Sequence, residues 1–374
     1  MRISLAERFD ALSSPVPRAP AGRRSPRASR VLTFTALLLW AALAGTPLSA
    51  ASPAPSPEPE KPLSTAEILG AVVRIHVQTV ANARSASSAG RERHGSGVVV
   101  EPGGLILTSA LLVQEADAIV VTTLDARTVP AAVAAHDPAL GIAVLRPAAP
   151  LGVRPLSVGR SAMLAPRAWV SVAAAALHRT VSVAEVIDKR DFANEREFLV
   201  EDAIFTAPVV PECAGAALVD GTGKLIGIGA LAVKEVRGPE GAFGPGNVFI
   251  PVERFLPALS RLARADGSSA PRRPWLGLVT RTSDLGLVVT DVPPDSPAER
   301  AGLRVGDAIA AVDGTPVRTH AELYRSVWRT GVPGTAIRLT IRRDGTTREV
   351  RIRAIEVQDY LIHRARLTMG TSPA

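Results

Sequence analysis

GSGVVVEPGGLILTSALLV, residues Gly95–Val113, holds two short apolar runs, Gly97–Val100 and Leu105–Thr108, on either side of the turn sequence EPGG, Glu101–Gly104. Runs this short between Gly/Pro punctuation suit strands, not helices. Working outward, similar Val/Ile/Leu-rich runs recur at Val72–Val77, Ala118–Thr123, Val129–Ala135, Ile142–Arg146, Trp169–Ala174, Thr180–Asp188, Phe198–Val200, Ala216–Val219 and Leu225–Val233. DGTG, Asp220–Gly223, supplies another tight turn. Many short strands at this spacing predict an all-β barrel or sandwich, with no alternating βα units.

Helices are expected only at the margins of this block. Ser64 and Glu67 stand in capping-box spacing and start a short helix, and a second helix from about Val252 closes the block. DGSSAP, Asp266–Pro271, reads as a linker, and a second compact unit follows at Arg272–Glu356. The organisation is therefore 1–51 leader, 52–63 Pro-rich tether, 64–262 main domain, 263–271 linker, 272–356 second domain and 357–374 tail.

With 374 residues, 47% hydrophobic and 21% charged, the chain can fill packed cores. Its net charge of +8 is concentrated in residues 1–30, where seven arginines face Glu7 and Asp10. The rest has no long basic block and few aromatics, which argues against a nucleic-acid partner. The basic leader runs into the apolar stretch Val31–Gly45 and then into small residues, the pattern of a signal peptide cleaved near Ala50 or Ala51. An uncleaved inner-membrane anchor over 31–51 is the alternative. Either reading expects an exported, periplasmic or otherwise extracytoplasmic protein. Cys213 is the only cysteine, so no disulfide forms within the chain.

Three segments, Gly95–Val113, HDPALGIAVLRP (His136–Pro147) and PECAGAALVDGTGKLIGIGA (Pro211–Ala230), resemble in order and spacing the blocks that carry His, Asp and Ser in the HtrA family of bacterial proteases. The resemblance implies a mainly β chain, a chymotrypsin-like double β-barrel of the trypsin-like type. It also implies the triad positions, which here read Leu111, Gly141 and Ala214. Leucine has no lone pair to take a proton, glycine cannot orient an imidazole, and alanine offers no nucleophile. Glu212 replaces a glycine of the turn whose N–H groups would form the oxyanion hole, and a Cβ residue resists that turn. EDAIFTAPVV, Glu201–Val210, matches the family's specificity wall only with an insertion.

The remaining residues offer little to replace the missing catalyst. Cys213 is the weak candidate, but no base stands at Leu111. His136 and Asp137 are adjacent and point to opposite faces, His76 lies on an early strand, and His94 precedes the GSG turn. No His, Cys, Asp or Glu cluster shows metal-ligand spacing, so neither a metal nor a cofactor is expected.

The second unit contains DSPAERAGLRVGDAIAAVDGTPV, Asp295–Val317, and along its length resembles a bacterial PDZ domain. Pro297 suits the first turn of a helix, Gly302 its C-cap and Gly306 the turn before strand Ala308–Val312. Thr319 and Glu322 form a second capping box, for the helix Ala321–Arg329. In PDZ domains a peptide adds to a sheet edge and its carboxylate sits in a backbone nest. The resemblance places that nest at Trp275, Leu276, Gly277 and Leu278. Leu323 and Val327, four apart, are expected on the groove wall, with Tyr324 and Trp328 as the alternative face.

These readings lead to an HtrA-like pseudoprotease that binds peptides or protein C-termini in the cell envelope. Unfolded envelope proteins or an active protease are further partners, and a homotrimer follows from the resemblance. Two other functions stay open: an active periplasmic endopeptidase in protein quality control, of serine type or dependent on Cys213, and a purely structural envelope protein.

Overall fold

The computed structural model describes residues 62–263 and 272–361, except Arg196 and Leu285. All of them fall within one compact unit, Pro57–Ala374. The leader, most of the Pro-rich tether, the greater part of the linker and the end of the tail lie outside the described residues, and so does the expected signal peptide or anchor. Among the described residues, no helix is long and apolar enough to cross a membrane.

The chain is mainly β. After helix α1 (Thr65–Gly70), strands β1 (Val72–Thr79), β2 (Glu92–Val99), β3 (Ile106–Ser109), β4 (Ala116–Thr122), β5 (Thr128–Asp137) and β6 (Ile142–Pro147) close a barrel in the order β1-β2-β3-β6-β5-β4. Short helices α2 (Ala86–Ala89) and α3 (Ala110–Val113) sit in its connections. A second barrel uses β7 (Trp169–Ala174), β8 (Thr180–Ala193), β9 (Leu199–Ala207), β10 (Ala217–Val219) and β11 (Leu225–Val233). A small hairpin, β12 (Arg237–Gly238) and β13 (Gly241–Ala242), leads to its last strand, β14 (Gly246–Pro251). The order is β10-β11-β14-β9-β8-β7, and helix α4 (Val252–Ala263) follows.

Period-two burial explains why the strands read as nearly continuous apolar runs. Val99, Ile106, Ala143 and Leu145 face the lumen of the first barrel. Their neighbours Val98, Leu107, Ile142 and Val144 point the other way, into a seam shared with Ile228, Val248, Ile250 and Phe255 of the second barrel and α4. Both faces are dry, so each buried Ile or Leu contributes roughly 1.5–3 kcal/mol.

The last domain holds β15 (Val279–Ser283), β16 (Gly286–Asp291), α5 (Pro297–Arg300), β17 (Ala308–Val312), β18 (Thr315–Pro316), α6 (His320–Arg329), β19 (Ala336–Arg343) and β20 (Thr346–Arg353). Its sheet runs β15-β16-β17-β19-β20, which leaves β15 on an edge. Both expected capping boxes form, at Ser64/Glu67 and at Thr319/Glu322. Gly302, just past the end of α5, takes φ +78° and Gly306 takes φ +95°.

Several expectations are corrected. His94 and the GSG that follows lie inside β2, in no turn. The strand read at Phe198–Val200 continues to Ala207, through the segment that matched the family only with an insertion. The acidic pair Glu201–Asp202 hid that continuity: Asp202 has φ +52°, at an irregularity of the ladder, and Arg254 pairs with both carboxylates. Residues 357–360 of the expected tail form helix α7 (Val357–Tyr360). Its Tyr360 packs on Trp275 with ring centroids 4.7 Å apart and under the Arg84 guanidinium, 4.3 Å away.

Candidate functional site

The three blocks named in the sequence meet at the junction of the barrels. Ala110 N–H, beside Leu111, donates to Gly141 C=O at 2.8 Å, and Ser96 N–H donates to Ala214 C=O at 3.0 Å. Leu112 and Ala214 both crowd Gly95, which joins the first block to the third. The segment carrying Leu111 is held by Arg93, whose Nη1 donates to Leu111 C=O and Gln114 C=O, 2.9 Å each. Burial lowers the pKa of that guanidinium. Leu111 itself is 45% exposed between buried Ala110 and Leu112.

Gly141 has φ +83° and touches Phe198, the residue just before β9. A Cβ at position 141 would clash with Cε2 of the Phe198 ring, 3.0 Å from Cζ and 3.3 Å from Ile250 Cδ1. A benzyl ring therefore fills the space in which a side chain at 141 would stand. Phe198 is buried, meets Phe192 edge-on at 5.9 Å, and is positioned by Leu199 N–H donating to Ala139 C=O at 3.2 Å.

Glu212 adopts φ +57°, so the side chain expected to resist this turn does occupy the left-handed region. Its carboxylate accepts from Leu177 N–H at 2.9 Å, which offsets part of the strain. Cys213 is buried, and burial pushes its thiol up to about 11, far from thiolate character at neutral pH. His136 is engaged on both ring nitrogens, Nε2 with Ala110 C=O at 3.2 Å and Nδ1 with the Gln358 amide of α7 at 2.6 Å.

The PDZ residues lie where a second constellation forms. Leu276, Leu278, Leu323 and Val327 are all buried in one cluster, and that cluster includes Leu199 of the second barrel. Gly277 has φ +73°, and a Cβ there would lie 2.6 Å from Ser296 Cβ, so only glycine fits this loop. Leu276 N–H donates to Glu197 Oε1 at 3.2 Å, and the Gly277 N–H also favours that carboxylate. The Glu197 side chain, from the β8–β9 connection, thus stands on the very N–H groups expected to hold a peptide carboxylate.

The same connection is clasped by α6. Glu197 N–H donates to Tyr324 Oη at 3.0 Å, and Tyr324 Oη donates to Asn194 C=O. Arg325 pairs with Asp191 on β8. Tyr324 was the alternative face in the sequence reading; it is buried and makes the contact, while Trp328 stacks under Arg273 at 4.4 Å. Complete burial raises the Glu197 carboxyl to about 8, against the two N–H bonds that pull it down. Sequence reasoning missed Glu197 and Phe198, because a single acidic residue in a connection carries no local signal of a partner 79 positions away.

Strand pairing also brings together a group that spacing along the sequence does not show. His76, Glu92 and His94 bring their donor atoms within 4.8 Å of one another.

Comparison with known proteins agrees with this architecture. The trypsin-like peptidase domain family matches residues 95–228 and the PDZ domain family matches residues 274–353. The fold and the matches define a trypsin-like peptidase double barrel followed by a PDZ domain. A DegP-like probable periplasmic serine endoprotease of Halomonas elongata is 28% identical over 275 residues, 70% of this chain and 56% of that protein. The serine endoprotease DegS of Haemophilus influenzae is 29% identical over 260 residues, 67% and 74% of the two chains. The solved serine endoprotease from Yersinia pestis is 26% identical, covers 79% of this chain and 99% of its own, and superimposes with a TM-score of 0.47. By its two domain matches and these relatives, the chain is similar to HtrA-like proteases. It spans little more than half the length of the DegP-like relatives.

Proposed function

We propose that this chain is an HtrA-like pseudoprotease of the cell envelope that binds peptides or protein C-termini through its PDZ domain without hydrolysing them. One observation supports the reading most: a Cβ at Gly141, the position the resemblance assigns to the orienting carboxylate, would clash with the Phe198 ring. Leu111 and Ala214 supply neither base nor nucleophile, and Cys213 stays a thiol. His136 has neither nitrogen open for proton abstraction. Residual transition-state binding by such a frame is small beside the roughly millionfold that a triad contributes.

Peptide binding is the activity left to the fold. β15 lies on a sheet edge, Leu276 and Gly277 present N–H groups, and Leu323 and Val327 line the cluster beside them. Glu197 occupies these N–H groups in the closed chain, so a ligand binds by replacing it. Export follows from the leader and from the relatives, which are named periplasmic endoproteases. A holder, scaffold or regulator of an active protease is the role that suits binding without turnover, and a trimer is the assembly that the family resemblance supplies.

The names of the relatives favour a second reading, an active endopeptidase. A fluorophosphonate probe and a thiol probe, applied to the purified full chain beside a turnover assay on an unfolded protein, separate the two. The pseudoprotease reading expects no labelling in the native state and no turnover, together with saturable binding of members of a C-terminal peptide library that Gly277→Trp abolishes. Specific labelling of a serine or of Cys213 with substrate loss would overturn it.

A further inference from the structure

We propose that the outer face of the first barrel carries a transition-metal site built from His76, His94 and Glu92, with zinc as its fitting ion. The sheet register creates it. His76 on β1 pairs directly with His94 on β2, and the next same-face pair along the ladder is Gln78 with Glu92. Residues two apart share a face, so both imidazoles, the carboxylate and the Gln78 amide project on one side of the ribbon. Ile75 and Val77 project on the other side, into the barrel.

The two imidazoles lie parallel, with centroids 4.7 Å apart and planes 9° apart. Their ring nitrogens and a Glu92 oxygen fall within 4.8 Å of one another. Zinc bonds of about 2.0–2.2 Å place tetrahedral donors roughly 3.3 Å apart. Glu92 and His94 are exposed, so ordinary side-chain rotation closes the difference.

His76 gives the second, independent observation. Its Nε2 is shielded from solvent, yet meets no donor or acceptor among the described residues. Val120, the partner of His76 on β4, is half-buried beside it. A shielded nitrogen left without a partner is destabilising, and a cation held with His94 and Glu92 would satisfy it. Neighbouring cations do not oppose an ion here. Arg74, on the same face, is turned to Ala175 C=O and Leu177 C=O, and Arg93 is directed at the carbonyls of α3.

The donor chemistry selects the ion. Two imidazole nitrogens and one carboxylate suit zinc, copper or nickel, whereas calcium and magnesium prefer all-oxygen shells. Gln78 or solvent completes four-coordination. The site shares no residue with the PDZ loop and needs no catalysis, so its test is independent of the peptide-binding reading.

The test uses tag-free full chain, titrated with zinc against a chromophoric chelator, with copper(II) EPR as a second readout. The expected result is one zinc per chain, two nitrogens in the copper spectrum, and about a tenfold or greater loss of affinity in H94A and in H76A. E92Q weakens binding by a smaller factor, and H320A, on α6 of the other domain, changes nothing. Circular dichroism confirms that each variant is folded, and exposed His94 keeps the test open should H76A fail to fold. Failure of folded wild-type chain to bind zinc, or equal affinity in wild type and H94A, overturns the proposal.

Discussion

The ring of Phe198 lies against Gly141 so closely that a Cβ at 141 would clash with its edge. Gly141 is thus complementary to a specific aromatic neighbour, and a lone back-substitution there meets a packed wall. Adding Ala at 141 is expected to destabilise the chain by about 1–3 kcal/mol through overpacking, with the positive φ adding to it. Urea denaturation of G141A, F198A and the double variant measures the coupling. The double variant should be more stable than the sum of the single effects allows; strict additivity would refute the contact.

The same packing bears on activity. A chain with L111H, G141D and A214S together is expected to show no proteolysis above background, because the new carboxylate cannot reach its place beside Phe198. Turnover of an unfolded substrate by that triple variant would mean that the ring yields easily.

Removal of the Glu197 side chain exposes the Leu276 and Gly277 N–H groups. E197A should therefore bind a C-terminal peptide about tenfold or more tightly than wild type, since a closed state no longer competes. Y324F, which loses the hydroxyl that meets Glu197 N–H and Asn194 C=O, should move affinity in the same direction. Fluorescence anisotropy of a labelled peptide on the full chain reads both, and unchanged affinity in E197A sinks the competition.

Peptide affinity should also depend on pH, with a sign fixed by the Glu197 carboxyl. In the closed state burial raises it to about 8, whereas a solvent-exposed carboxyl titrates near 4.5. Closure is therefore fully favoured below about 4.5, weakens as pH rises, and loses no more above about 8. Wild-type affinity should increase from pH 5 to pH 8.5, and E197Q should be nearly flat across that range. The opposite slope in wild type would contradict the assignment.

Cys213 offers a check on the inert-thiol reading. Its burial and a pKa pushed up to about 11 predict alkylation in native buffer at pH 8 at least about a hundredfold slower than in urea. Fast native labelling, followed by intact-mass spectrometry, would instead mark a reactive thiol.

Local chemistry was the legible part of this chain. The capping boxes at Ser64 and Thr319, the turns around Gly104 and Gly223, and strand Ala308–Val312 all follow from neighbours in sequence. Period-two alternation showed most strands, but their faces could be sorted into lumen and seam only once both barrels were in place. The continuation of β9 was masked because Glu201 and Asp202 look like a break, while their partner Arg254 lies some fifty residues on. The His76–His94 pair depends on strand register, which no spacing within one segment encodes. Strand Gly246–Pro251 and helix α7 were not read either, the first because Gly and Pro surround it, the second because Tyr360 is fixed by Trp275 and Arg84.

Glu197 and Phe198 are consecutive, so a single peptide bond yokes the Leu276–Gly277 loop of one domain to the Gly141 corner of the other. A guest that evicts the first residue must pull on the second, and displacement of that aromatic ring is the expected outcome. A fluorine label on that ring would turn the chain into a reporter of its own occupancy.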